Sequence, residues 1–350
     1  MQRDLVEDKR WVTQQDYTDG LALAQLAPGP LAAQLAIYLG FVRAGVFGAT
    51  MVAVLFVLPS FLMVWAISIA YVHYGGLPWM QSLFYGIGAA VIGIIARSAV
   101  KLTSITLKAD RWLWAIFAVV AVTTAWTERE IIWLFPLAGL LTVVLSRPGI
   151  TSGLHHSALL LLPVQGTVAS AATAAAPSLP AIFFFFAKAG AVVFGSGLAI
   201  VPFLYGEVVQ TQGWLNDRQF LDAVAVAMIT PGPVVITVAF VGYLIGGPWG
   251  MTAAALGVFL PVYLLVVIPA PYFRRHRSQP AIKAFVEGVT AAATGAIAGA
   301  AYVLAVRAIV DAGAALLAVA TFAILTRWKI SELWLIGGAA LIGLWFGTRG

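Results

Sequence analysis

A Pro-Gly-Pro stands twice in this chain, at 28–30 and at 231–233, each time inside an apolar run long enough to enter a membrane. Proline has no backbone N–H to donate and clashes with the turn before it, so each tripeptide ends one helix and allows another to start. An unbroken helix can run through neither. The flanks repeat as well. Residues 11–30, WVTQQDYTDGLALAQLAPGP, align without a gap with 214–233, WLNDRQFLDAVAVAMITPGP. Trp11, Asp19, Ala22, Ala24, Pro28, Gly29 and Pro30 fall on Trp214, Asp222, Ala225, Ala227, Pro231, Gly232 and Pro233, an offset of 203. Further on, at an offset of 202, Pro59 falls on Pro261, Gly86 on Gly288 and Gly93 on Gly295.

The solvent of these segments is lipid. Apolar residues form 61% of the chain and charged ones 10%, against roughly 25% charge in soluble domains. The chain reads as an all-α polytopic membrane protein. Its start, MQRDLVEDKRW, has no signal-peptide pattern. Cysteine is absent, which excludes disulfides, thiolate metal sites and thiol catalysis. The formal charge of +6 comes from Lys and Arg placed between apolar segments, which reads as a topology signal and not as a nucleic-acid surface.

The duplication divides the chain into a first repeat at 1–146, a linker at 147–180 rich in Ala, Ser, Thr and Pro, and a second repeat at 181–350. The second repeat opens with an apolar helix, FFFFAKAGAVVFGSG, that the first lacks; either the first half has no leading helix or the protein starts upstream of Met1. Apolar runs of about 17 to 25 residues are needed to cross a bilayer. They are expected at 44–72, 79–100, 112–126 and 130–146, then at 181–205, 249–273, 284–306, 308–326 and 331–347. Lys and Arg gather on the cytoplasmic side. In half one they follow the second span (Arg97, Lys101, Lys108, Arg111); in half two they occupy the preceding loop instead (Arg274, Arg275, Arg277, Lys283). Equivalent loops then face opposite sides, so the repeats read as inverted, and parity makes each Pro-Gly-Pro segment a re-entrant hairpin.

A helix restarting at such a tip presents unpaired N–H groups, from Leu31 to Gln34 and from Val234 to Thr237, at the positive end of its dipole. Irregular backbone at membrane depth must be buried in protein or line a wet cavity, and a helix N-terminus binds anions. Two such tips in inverted repeats make the discontinuous-helix site of secondary transporters. Gln25, Gln34, Thr230 and Thr237 stand near the breaks as polar candidates, with Tyr38 and Tyr243. Ionisable residues in apolar spans are costly and therefore informative: Lys188 as a counter-charge, and Glu207, Asp222 and Glu287 as carboxylates for proton coupling.

The stretch FFFFAKAGAVVFGSGLAIVPFLYGEVVQTQGWLNDRQFLDAVAVAMITPGP resembles the signature of the chromate ion transporter family, and LALAQLAPGP with AIYLG resembles its other domain. The resemblance covers nearly the whole chain. It implies a bacterial inner-membrane, multi-pass protein that exports chromate on the proton-motive force, with sulfate as the chemical mimic. On matching positions it implies functional roles for Lys188, Gly195, Gly197, Glu207, Trp214, Asp222, Pro231, Gly232 and Pro233, and for Gln25, Pro28, Gly29, Pro30 and Gln34. Ser196 interrupts the family's glycine run and adds a hydroxyl. The implied partners are a chromate or sulfate oxyanion, protons and the bilayer, with a second copy of the chain admitted as well; no cofactor, metal or nucleic acid is implied. A transporter of another anion and a non-transporting membrane scaffold stay open as alternatives. An intramembrane hydrolase would need a base beside Ser196, and no histidine lies in a span.

Overall fold

The computed structural model describes residues 3–27, 29–74, 77–107, 110–128, 131, 133–146, 177–192, 197, 200–272, 280–309, 311–328 and 330–347. Every regular element among them is helical: α1 (Gln14–Leu26), α2 (Leu31–Tyr74), α3 (Pro78–Leu107), α4 (Arg111–Thr127), α5 (Leu134–Leu145), α6 (Leu179–Val192), α7 (Ile200–Leu204), α8 (Asp217–Ile229), α9 (Thr237–Val267), α10 (Pro280–Ala308), α11 (Ala312–Arg327) and α12 (Glu332–Gly347). The linker at 147–176 and the basic loop at 274–277 lie outside the described residues.

The two halves use the same local devices. A π-helical turn, Arg3–Asp8 in one half and Tyr205–Thr211 in the other, precedes the first broken helix. The Trp11 N–H donates to Leu5 at 2.8 Å, and the Trp214 N–H donates to Val208 at 2.9 Å. Thr13 then caps α1, taking a bond from the Asp16 N–H, and Asn216 caps α8 through a full capping box with Gln219. Such caps supply partners for the first-turn N–H groups that a helix leaves open.

After each Pro-Gly-Pro the chain returns as helix and then reverses again. In α2 the backbone turns at Ala44 (φ −146°, ψ 31°) and Gly45 (φ 58°, ψ −148°). A Cβ on Gly40 would lie 2.6 Å from the Gly48 carbonyl, although eight residues of straight helix span about 12 Å. The helix is therefore two arms folded together, 31–43 and 46–74. The same turn falls in α9 at Gly246 (φ −139°, ψ 23°) and Gly247 (φ 60°, ψ −153°), where Gly242 meets Gly250 in the same way. The arm from 46 coincides with the span expected from residue 44.

Among the described residues four segments are long and apolar enough to cross a membrane: Leu31–Tyr74, Pro78–Leu107, Val234–Tyr272 and Lys283–Ala308. The other expected spans are shorter apolar helices, down to the 12 residues of α5, which extend only about 18 Å. Of the crossing expected at 181–205, α6 and α7 describe the two ends, to Val192 and from Ile200; residues 193–196, 198 and 199 lie outside the described residues.

Packing exchanges helices between the halves. α4 and α5 lie on α10 of the second half, whereas α11 and α12 lie on α3 of the first. Glycines make the contacts. A Cβ on Gly86 would overlap the Ala339 carbonyl of α12, and one on Gly288 the Ala138 carbonyl of α5. A Cβ on Gly93 would come within 2.5 Å of the Ala318 carbonyl, and one on Gly295 within 2.5 Å of the Phe117 carbonyl. Small residues let helix backbones approach in lipid, where dispersion contacts replace the hydrophobic drive. Gly86→Leu is expected to separate α3 from α12 and destabilise the protein by about 1–3 kcal/mol, the usual cost of overpacking. Detergent-solubilised thermal unfolding measures this, and an unchanged midpoint would show that the helices tolerate separation.

Candidate functional site

Each tip is seated on the long arm of the opposite half. In the second half, the Ser60 hydroxyl donates to the Pro231 carbonyl at 2.6 Å. Ser60 follows Pro59 in α2 and is 1% exposed. Gly232 lies against it at φ 145°, in a region that L side chains rarely adopt, and a Cβ there would overlap the Ser60 hydroxyl. In the first half, Gly29 has φ 134°, and a Cβ would come within 3.0 Å of both Val262 methyls. Val262 follows Pro261 in α9 and is the positional equivalent of Ser60. Glycine serves both positions for the same two reasons, a positive φ and a neighbour in contact. The seats differ chemically: one is a hydroxyl that ties down a carbonyl, the other a valine.

The polar candidates bind the tips together. Gln34 is fully buried, and its Nε2 donates to the Ala27 carbonyl at 3.2 Å, closing the end of α1 from the returning arm. The Thr230 hydroxyl donates to Val226 and Ala227, and the Thr237 hydroxyl to Val234 at 2.7 Å. The Gln34 N–H already bonds the Pro30 carbonyl, and the Ile236 and Thr237 N–H groups bond Pro233 and Val234. The expected set of open donors therefore narrows to 31–33 and 234–235. Half two restarts as a short 3₁₀ turn, Val234–Ile236, before α9. Pro30, Pro231 and Pro233 flank these restarts.

Gly197 abuts the second tip. A Cβ on it would lie 3.6 Å from the Val234 nitrogen and 3.5 Å from a Val235 methyl. Gly197 and the second Pro-Gly-Pro are thus brought together. Pro28, Gly195 and Ser196 and the side chain of Gln25 lie outside the described residues. Lys188 is exposed on α6 between neighbours that pack on α9. Glu287 is exposed on α10, and Arg97 pairs with Glu332 at 3.8 Å. Glu207 is half-buried in the π-helical turn.

Asp222 stands apart from the other carboxylate candidates. It is 5% exposed on α8, and the Tyr71 hydroxyl donates to its Oδ2 at 2.6 Å. Tyr71 comes from the long arm of α2 and is held edge-on by Phe84 at 5.3 Å and Phe240 at 5.1 Å. Asp19, the equivalent on α1, is 4% exposed and accepts a bond from Gln15 at 2.9 Å. Sequence reasoning missed Ser60, Tyr71 and Val262. Only the serine and the valine had a signal, their places directly after the aligned prolines.

At the outer end of α8, Arg307 of α10 pairs with Glu128 at 3.0 Å and with Asp217 at 3.6 Å, while Tyr205 donates to Asp217 at 2.6 Å. Glu128 ends α4 at φ 55°. This cluster fastens the entry of the second hairpin to helices of both halves.

Fold and site define an all-α, multi-pass membrane protein in which two broken-helix tips each rest against the opposite half. The chain belongs to the chromate transporter family, whose profile matches residues 1–143 and 180–344. It is 59% identical over 347 residues to the "Chromate transport protein" of Cupriavidus metallidurans, covering 98% of this chain and 86% of that one. The "Probable chromate transport protein" of Synechococcus elongatus is 51% identical over 356 residues, 100% of this chain and 90% of the relative. A "Chromate transport protein" of Pseudomonas aeruginosa is 32% identical over 316 residues, 85% and 73% of the two chains. No solved structure matches the chain. The family resemblance read from the motifs is borne out.

Proposed function

We propose that this protein exports chromate across a bacterial inner membrane by alternating access, driven by the proton-motive force. The observation that carries the reading is near-full-length similarity to proteins named for chromate transport, at 59% identity to that of Cupriavidus metallidurans. The two tips agree with it chemically. A tetrahedral dianion needs several donors and partial positive charge, which helix N-termini at 31–33 and 234–235 supply. Gly29, Gly232 and Gly197 keep side chains away from those donors.

In this reading residues 1–146 and 181–350 are inverted repeats joined by the linker at 147–180, and the hairpins enter from opposite faces. The reciprocal seats support it, because each tip leans on the arm that follows the other half's proline. Motion of one repeat against the other would expose each tip in turn. Asp222 is the preferred coupling carboxylate, since burial makes its charge state dependent on its surroundings and Tyr71 links it to the other half. Glu207 and Glu287 are less enclosed.

The test is chromate accumulation in cells expressing the chain, with and without excess sulfate, and with a protonophore. The expected result is lower accumulation than in control cells, reversed by the protonophore and altered by sulfate competition. Unchanged accumulation, with the protein confirmed in the membrane, would overturn chromate as the substrate. Lower accumulation that the protonophore leaves intact would overturn the energy source alone.

A further inference from the structure

The two hairpins have matching bases with different chemistry. At the base of the first, a cavity of about 690 Å³ is lined by residues that include Arg10, Arg43, Trp11, Thr13 and Asp16. Arg43 comes from the end of the returning arm, and its Nη1 donates to the Trp11 carbonyl at 2.9 Å. Lys9 adds charge beside them, its ammonium 4.7 Å above the Trp11 ring. Asp16 is the acidic group in the lining, and its carboxylate accepts a bond from the Thr13 hydroxyl at 2.7 Å.

The second hairpin supplies an internal comparison. Offset by 203, Arg10 corresponds to Gly213; offset by 202, Arg43 corresponds to Ile245; Lys9 corresponds to Gln212. The backbone is the same at the first pair, φ 50° at Arg10 and φ 61° at Gly213. That region suits glycine and strains other residues. Half two places glycine there, as the backbone prefers. Half one places an arginine there against that preference and aims it at a cavity shared with a second arginine. Strain held at a residue of specific chemistry points to a role for that chemistry.

We infer that Arg10 and Arg43 form an anion-collecting mouth at the base of the first hairpin, which captures the oxyanion before it reaches the Pro-Gly-Pro tip. The inference rests on the reading of the chain as an oxyanion transporter. It adds a direction: the first mouth carries Arg10 and Arg43 where the second carries Gly213 and Ile245, so anions are gathered preferentially at the first. A cleft with an excess of one sign of charge raises the local concentration of its counter-ion and speeds capture, and the effect fades with ionic strength. Sulfate-like oxyanions and lipid phosphate headgroups share the chemistry that the mouth recognises.

The experiment is initial-rate chromate uptake into proteoliposomes of pure phosphatidylcholine, with the wild type, Arg10→Gly and Arg10→Lys compared at low and high potassium chloride. Arg10→Gly installs the residue that half two uses at this φ, so folding is retained or improved. The expected result is a KM raised about fivefold at low salt, an unchanged maximal rate, a flattened salt dependence, and recovery of the salt dependence in Arg10→Lys. Wild-type KM and salt dependence in Arg10→Gly would overturn the mouth while leaving chromate transport standing. An effect that arises only when phosphatidylglycerol is added would assign the arginines to lipid headgroups and overturn capture of the free anion. A wild type without chromate uptake would overturn the transporter reading and the mouth with it.

Discussion

Gly232→Ala is expected to reduce chromate transport at least tenfold in protein that still reaches the membrane. Two costs act together. The backbone at φ 145° is one that side chains rarely adopt, a strain of about 1–3 kcal/mol. The added methyl also overlaps the Ser60 hydroxyl, which is bonded to the Pro231 carbonyl next to it. Relief would require the tip to lift from its seat, displacing the Val234 N–H group proposed to face the anion. Gly29→Ala should be milder. Its neighbours are the two Val262 methyls and the end of the Gln34 side chain, which can yield. A second substitution, Ser60→Gly, removes the overlap but not the strain, so Gly232→Ala with Ser60→Gly should recover part of the activity. The coupling between the two sites, read from a double-mutant cycle, measures the seat directly. Wild-type transport by Gly232→Ala would remove the tip from the mechanism.

Asp222→Asn carries the other large effect. The substitution keeps shape and removes a charge that is 5% exposed and bonded to Tyr71. If Asp222 couples protons, uptake driven by a pH gradient should fall at least tenfold, while chromate–chromate exchange, which needs no net proton movement, continues. Tyr71→Phe should give a smaller loss, because the carboxylate remains and only its donor from the other half goes. Asp19→Asn is the informative control, since Asp19 is equally buried but bonds Gln15 within its own helix. Loss of gradient-driven uptake and exchange together would mean that Asp222 holds the hairpin in place and carries no proton. Retention of both would move coupling to Glu207 or Glu287.

The sequence displays these sites unevenly. The tips were legible because proline and glycine leave local marks and because the marks occur twice. The glycine pairs Gly86/Gly288 and Gly93/Gly295 belong to the same readable class. The turns at Ala44–Gly45 and Gly246–Gly247 fall where the spans expected from 44 and 249 begin, beside Arg43 and the Gly-Gly-Pro of 246–248. Hydropathy does not tell a full crossing from the shorter α4, α5, α11 and α12, which are equally apolar. Contacts between distant residues, such as Ser60 with Pro231 and Tyr71 with Asp222, leave no trace in spacing. They follow from which half covers which, and a single sequence carries no record of that choice.

That choice has a consequence for how the protein is made. The groove that Gly86 and Gly93 form on α3 is filled by α11 and α12, which leave the ribosome after every helix of the first half. During synthesis the first half therefore waits in the membrane with its close-packing face covered only by lipid, and its packing is completed in a late step. Damage in α12, far from either tip, would act first on the first half: a chain that stops before Glu332 would leave Gly86 without the Ala339 backbone it was shaped to receive.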